Sequence, residues 1–186
     1  MAGTKRIALF IADGSEEVEA VTPIDFLRRA GVEVLVAGVS TLEVTGGHAI
    51  RITADILAED VPEDIDGVVV PGGMPGASNI GANEAAVAVV RKAFAGGKLV
   101  AAICAAPAVV LEPAGVLTGK RFTCFPGFEE KVTSGTFSTD RVVVDGNLIT
   151  SRGAGTAAEF SVEIIRYLLG DGPADETRDR TLVIPH

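Results

Sequence analysis

Four compact apolar runs, Arg6 to Ala12, Glu33 to Val39, Gly67 to Val70 and Leu99 to Ile103, constrain this chain more than any other feature. They are short, rich in Val, Ile, Leu and Ala, and bounded by turn residues such as Asp13-Gly14 and Pro71-Gly72-Gly73. They alternate little between polar and apolar, as strands buried on both faces do. Segments with helical spacing separate them. Ser15 to Ala30 has Glu16 and Glu17 in its first turn and stops at Gly31, and a second helix is capped by Asn83 and runs to Ala95 before Gly96-Gly97. The expected class is α/β, a doubly wound, mostly parallel sheet sandwiched by helices.

Smaller features fill in the frame. Pro23 predicts a kink in the first helix. His48 to Thr53, behind Gly46-Gly47, reads as a short strand at an edge or in a hairpin, and Ala54 to Asp66 as a brief helix or turn. Arg121 to Cys124 is strand-like, and Asp145-Gly146 splits a strand pair with a type I′ signal. Ser151 to Thr156 is a Gly-rich turn opening a helix to about Leu169, and the stretch past Gly170 is polar and then weakly apolar. At 186 residues and 47% hydrophobic content, the reading is a single domain over residues 1–186.

Composition narrows the partners. A formal charge of -9, with Lys and Arg scattered, argues against direct docking to nucleic acid. The longest apolar stretch, Leu99 to Leu111, is too short for a bilayer and contains Pro107, so no membrane span is expected. The apolar stretch after Lys5-Arg6 ends at Asp13, too early for a signal-peptide core, and the expected location is cytoplasmic. Two cysteines, Cys104 and Cys124, make no disulfide framework and have no metal-ligand spacing. Neither a metal nor a cofactor is expected.

The chemistry concentrates at Cys104. It ends a buried run and precedes Ala105-Ala106-Pro107, a strand, a sharp turn and a helix whose first turn accepts proline. A thiol facing a helix N-terminus is pulled toward thiolate, the nucleophilic form. Cys124 has no such junction and reads as packing. Glu16 and Glu17 suit the helix dipole. Glu19, one turn further in, either lies on a solvated helix face or faces the pocket, where burial would raise its pKa and fit it for proton transfer. Gly72-Gly73 is either a tight turn or the source of a backbone N–H that joins that of Ala105 in binding an oxyanion. Gly153-Ala154-Gly155-Thr156-Ala157-Ala158 matches a dinucleotide pattern, but the chain has no room for the following ribose-binding acid, so a close-packing turn is favoured. Of the two histidines, His186 is terminal and His48 reads as a surface residue.

Four motifs stand in order: Gly14-Ser15-Glu16-Glu17-Val18-Glu19, Pro71-Gly72-Gly73, Ala101-Ala102-Ile103-Cys104-Ala105-Ala106-Pro107 and Thr150-Ser151-Arg152-Gly153-Ala154-Gly155-Thr156. Together they resemble the DJ-one (ThiJ/PfpI) superfamily over nearly the whole chain, especially its parkinsonism-associated and YajL-like branch. The resemblance implies a flavodoxin-like, class I glutamine amidotransferase-like fold and a homodimer. It also implies Cys104 as nucleophile, a protonated Glu19 hydrogen-bonded to it, and Gly73 and Ala105 as backbone donors. The remaining pocket candidates are Gly72, Ala106, Arg29, His48, Phe125, Gly153 and Gly155. Many members place a histidine before the proline that here follows Phe125, in Cys124-Phe125-Pro126. The protease-like branch has a histidine where this chain has Ala105, so peptide hydrolysis is not implied. The implied activity is cofactor-independent chemistry on small reactive carbonyls such as methylglyoxal, or on their adducts with thiols and amines. The alternative is redox sensing, or a holdase role, through oxidation of Cys104.

Overall fold

The computed structural model describes residues 3–184. The apolar runs form the middle of a seven-stranded sheet as β1 (Arg6–Ile11), β2 (Glu33–Gly38), β6 (Gly67–Val70) and β7 (Leu99–Ile103). β5 (Ile56–Leu57) closes one edge, and β10 (Val142–Asp145) and β11 (Leu148–Ser151) extend the other. The order is β10-β11-β7-β6-β1-β2-β5. All neighbours are parallel except β10, which runs antiparallel to β11.

Side chains alternate between two buried layers because strand residues point to opposite faces. Ala8, Phe10, Val100 and Ala102 pack on one side beneath α2 (Gly76–Ala82) and α3 (Glu84–Ala95). Ile7, Leu9, Leu99 and Ile103 pack on the other beneath α1 (Glu17–Arg29) and α4 (Ala157–Leu169). Asn83 caps α3 as expected, its side chain accepting from Ala86 N at 2.9 Å. α1 continues through Pro23, which has no N–H to give the Glu19 carbonyl.

Several elements differ from the sequence reading. His48 lies in a loop between two short antiparallel strands, β3 (Glu43–Thr45) and β4 (Arg51–Thr53), rather than in a strand starting at His48. The 54–66 segment contributes β5 and a single 3-10 turn, Ala58–Asp60. After Cys104 the chain makes one π-helical turn, Pro107–Leu111, not a longer helix. β8 (Arg121–Phe122) stops before Cys124 and pairs with β9 (Thr136–Phe137). In the β10–β11 hairpin Asp145 pairs with Leu148, so Gly146 and Asn147 are the central residues, and only Gly146 has a positive φ, 65°. That is a type II′ pattern, not type I′. The polar stretch past Gly170 forms α5 (Asp171–Arg180), tied to α4 by Arg166 pairing with Asp171 and Asp175. His186 lies outside the described residues.

Candidate active site at the carboxyl edge of the sheet

Cys104 follows β7 with φ 64°, a left-handed conformation that non-glycine residues adopt at a cost of roughly 1–3 kcal/mol. Two backbone hydrogen bonds hold it there: Cys104 N donates to Ser151 O and Phe125 N donates to Cys104 O, both at 2.9 Å. The side chain is half-buried and touches both apolar layers, so the sulfur sits where the two faces of the sheet meet. This is the sharp strand-to-helix turn that the sequence predicts.

Glu19 reaches the sulfur from the first turn of α1 and is 1% exposed. Its Oε2 accepts from Gly72 N at 2.9 Å, and the N–H of Ala154 also donates to the carboxyl. Burial pushes Glu19 up to about 7, against the pull of the sulfur and of those donors, with Glu16 adding to the rise. On the thiol, burial and then an ionised Glu19 carboxylate push the pKa up, while the N–H groups of Gly73 and Ala105 pull it down. Cys104 is therefore not the thiol pulled toward thiolate by a helix N-terminus that the sequence suggests: the helical turn after it is a single five-residue one, and burial with an ionised Glu19 pushes the other way. It is half of a pair in which the proton on one member decides the charge on the other.

Close approach explains the Pro71-Gly72-Gly73 turn. A Cβ on Gly72 would lie 2.6 Å from Cys104 Cβ, 2.8 Å from Glu19 Oε2 and 3.0 Å from Ala105 N. Gly73 takes φ 80°, and any side chain there would strike the backbone around Ser15 and Glu16. Ala106 is buried at the start of the turn, its side chain in the core. Gly153 lies under the Phe125 ring and beside Glu19: a Cβ there would sit 3.3 Å from Phe125 Cδ2 and 3.8 Å from Glu19 Oε1.

Three candidates lie elsewhere. Gly155 faces open space, and its carbonyl accepts from Arg141. Arg29 closes the far end of α1, roughly 15 Å along the helix from Glu19, and pairs with Asp25. His48 Nδ1 lies 3.0 Å from Glu17 Oε2 and 3.4 Å from Glu16 Oε2, not on the sulfur. The sequence reading missed Ala154, because a backbone donor carries no side-chain mark. It also understated Glu17, a 4% exposed carboxylate whose Oε1 accepts from His48 N at 2.7 Å and Ile50 N at 3.3 Å. Cys124 is buried, and burial, then the negative Glu129, raises its thiol to about 12, in keeping with packing. A groove of about 690 Å³ walled by Val142, Val144, Val162 and Ile184 holds none of the Cys104 cluster.

A strained cysteine at a strand-to-turn junction, a buried carboxyl on its sulfur and converging backbone donors stand together at the carboxyl edge of a doubly wound, flavodoxin-like sheet. Residues 5–167 match the DJ-1/PfpI family, and the chain belongs to it. It is 42% identical over 183 residues to DJ-1 homolog B of Arabidopsis thaliana, covering 97% of this chain and 42% of that protein. The chain thus spans about half the length of its plant relatives. It is 37% identical to a deglycase of Pyrococcus abyssi, covering 88% of this chain and 99% of the relative. With a glutathione-independent glyoxalase of Caenorhabditis elegans it shares 35% identity, over 88% of each. The structure of Drosophila melanogaster DJ-1beta superposes with a TM-score of 0.94 at 38% identity, covering 98% of this chain and 100% of that one. Among the described residues no helix is long and apolar enough to cross a membrane.

Proposed function

We propose that the protein is a cofactor-independent enzyme acting on α-oxoaldehydes such as methylglyoxal, or on their early adducts with thiols and amines. The observation that carries this reading is the buried Glu19 carboxyl hydrogen-bonded to the Cys104 sulfur, an acid and a thiol within reach of one proton. Relatives named as a deglycase and a glyoxalase support it.

With the proton on Glu19, the sulfur is anionic and adds to the aldehyde carbon. The C=O electron pair moves to oxygen and takes the Glu19 proton, giving a thiohemiacetal. The Glu19 carboxylate then removes the hydrogen from the former aldehyde carbon, giving an enediolate, and the hydroxyl proton on the first oxygen passes to the second. Returning the proton held by Glu19 to the neighbouring carbon leaves a 2-hydroxy thioester on Cys104. Water attacks the thioester, the sulfur leaves as thiolate, and a 2-hydroxy acid is released, so one water is consumed and nothing is oxidised or reduced overall. The Gly73 and Ala105 N–H groups, which face the sulfur, are placed to receive the oxyanions.

Cys104→Ser and Glu19→Gln are each expected to lower lactate formation from methylglyoxal by at least about a thousandfold, since each removes a group required in every cycle. Full turnover in either variant contradicts the mechanism. The half-buried sulfur among N–H donors also favours a second reading, oxidation of Cys104 to a sulfinic acid held by protonated Glu19. Selective gain of two oxygens at Cys104 under mild peroxide, without carbonyl turnover, would select it. By family resemblance a homodimer completes the assembly, with Val18 and Val21 of α1, both near half exposed, in the shared face.

A further inference from the structure

The turn between β11 and α4 carries two buried hydroxyls that the reaction itself leaves unused. Ser151 closes β11 beside Ile103 of β7, and its carbonyl accepts the Cys104 N–H at 2.9 Å. Thr156 stands just before α4, where a threonine usually caps the helix, but its side chain makes no such bond. The hydroxyl is turned back instead. Thr156 Oγ1 accepts the Gly153 N–H at 3.2 Å and lies 2.9 Å from the Gly153 carbonyl oxygen and 2.6 Å from Ser151 Oγ. Ser151 Oγ in turn donates to the Arg141 carbonyl at 2.9 Å, which ties the chain of bonds to the strand pair behind it. Ser151 is 0% exposed and Thr156 5%, so water does not compete for these bonds. What this turn delivers to the site is the Ala154 N–H, a donor to the Glu19 carboxyl beside that of Gly72.

Resting on the α-oxoaldehyde reading above, we propose that Thr156 is a positioning residue for proton transfer: its hydroxyl locks the Gly153–Ala154 turn so that the Ala154 N–H stays on the Glu19 carboxyl. Gly153 is the joint. It is buried and has no side chain to pack, so hydrogen bonds to its N–H and carbonyl set its orientation. With the hydroxyl gone, the buried Gly153 N–H loses its acceptor, a loss that the turn relieves by rotating that N–H toward water. Ala154, the next residue, moves with it. Glu19 then keeps the Gly72 N–H but loses its second donor, so the carboxylate is less stabilised and less firmly aimed at the carbon it must deprotonate. The ionisable groups acting on Glu19 are Cys104 and Glu16, and a change at Thr156 leaves both in place. The Thr156 hydroxyl bonds only within the turn and to Ser151, so its effect passes through Ala154 and Glu19.

The test compares Thr156→Val, which keeps the shape and removes the hydroxyl, with Thr156→Ser, which keeps the hydroxyl. Two readouts are taken: the Glu19 titration, followed by the infrared C=O stretch of its protonated carboxyl against Glu19→Gln, and kcat and KM on methylglyoxal across pH. In Thr156→Val the Glu19 midpoint should rise from about 7 by at least about half a unit, because losing a donor favours the neutral acid. At neutral pH kcat should fall about tenfold with KM within about twofold of wild type, and the basic limb of the pH profile should move up with the titration. Thr156→Ser should restore both readouts. Ser151→Ala, which cuts the chain of bonds one link further on, should move them in the same direction by less. A folded Thr156→Val with the midpoint and kcat of wild type, or one that loses thermal stability alone, overturns the assignment. Should that variant not fold, Ser151→Ala without an upward shift does so. The titration needs no substrate, so wild type inert toward methylglyoxal removes the reaction, while the midpoint still decides the positioning role.

Discussion

Glu19 answers two opposed demands: its backbone donors favour the carboxylate, whereas burial favours the acid, and burial wins by enough to bring the group to about 7. The margin depends on distances of a few ångströms set by Gly72. Gly72→Ala should lower kcat/KM on methylglyoxal by about a hundredfold, because its methyl would force apart the Cys104 Cβ and the Glu19 oxygen that it meets at 2.6 and 2.8 Å. Steady-state kinetics beside circular dichroism would check this, with a native spectrum and near-normal turnover contradicting it. At this scale the sequence exposes what side-chain chemistry marks. Cys104 stands out between an apolar run and Ala-Ala-Pro, and Pro71-Gly72-Gly73 announces a close approach. Glu19 is set apart from Glu16 and Glu17 by its place further along the helix, but only the family pattern chooses the pocket over a solvated face, and Ala154 is invisible because it contributes an N–H that any residue but proline would have.

The 46–50 loop shows why element boundaries are harder to read. Glu17 gathers two backbone N–H groups and the His48 ring from a segment about thirty residues away, and no local pattern discloses such partners. On Glu17, burial alone would raise the pKa; the His48 ring and the N–H donors outweigh it and hold the carboxyl at about 2. The same contact raises His48, Glu17 first and Glu16 next. A depressed carboxylate stabilises the fold above its unfolded value of 4.5 and loses that contribution as pH falls toward 2. A raised histidine contributes below 6.5 and loses its share as pH rises through its folded value. The stability gap between wild type and Glu17→Ala should therefore be widest between pH 4.5 and 6.5. Its size there should be about 1–3 kcal/mol, since truncation strands partly buried N–H groups. Urea unfolding at several pH values measures it, and a gap independent of pH contradicts the pairing. The π-helical turn after Cys104 is a related case: Pro107 signals a helix start, but its length depends on packing against the second layer.

Across the whole molecule, parallel order follows from apolar runs that must be covered on both faces, so class and layer structure are legible before any coordinates. The strands hidden from the sequence are those at the margins, β3, β5 and β9, each of two or three residues and too short to show a period. Exposed Val18 and Val21, three residues apart on α1, share a face, and Ile50 beyond the Glu17 contact is 55% exposed. Light scattering coupled to gel filtration should report a dimer for wild type and a monomer for Val18→Asp/Val21→Asp, because charges in a dry contact are costly. A double variant with unchanged mass would place the contact elsewhere.

The pH dependence of Cys104 alkylation by iodoacetamide, followed site by site by mass spectrometry, tests the shared proton most directly. If the proton resting on Glu19 frees the sulfur, the rate should level off with a midpoint within about one unit of neutrality. A rate still climbing through about pH 10, as expected of a thiol that holds its proton beside an ionised Glu19, would contradict the account.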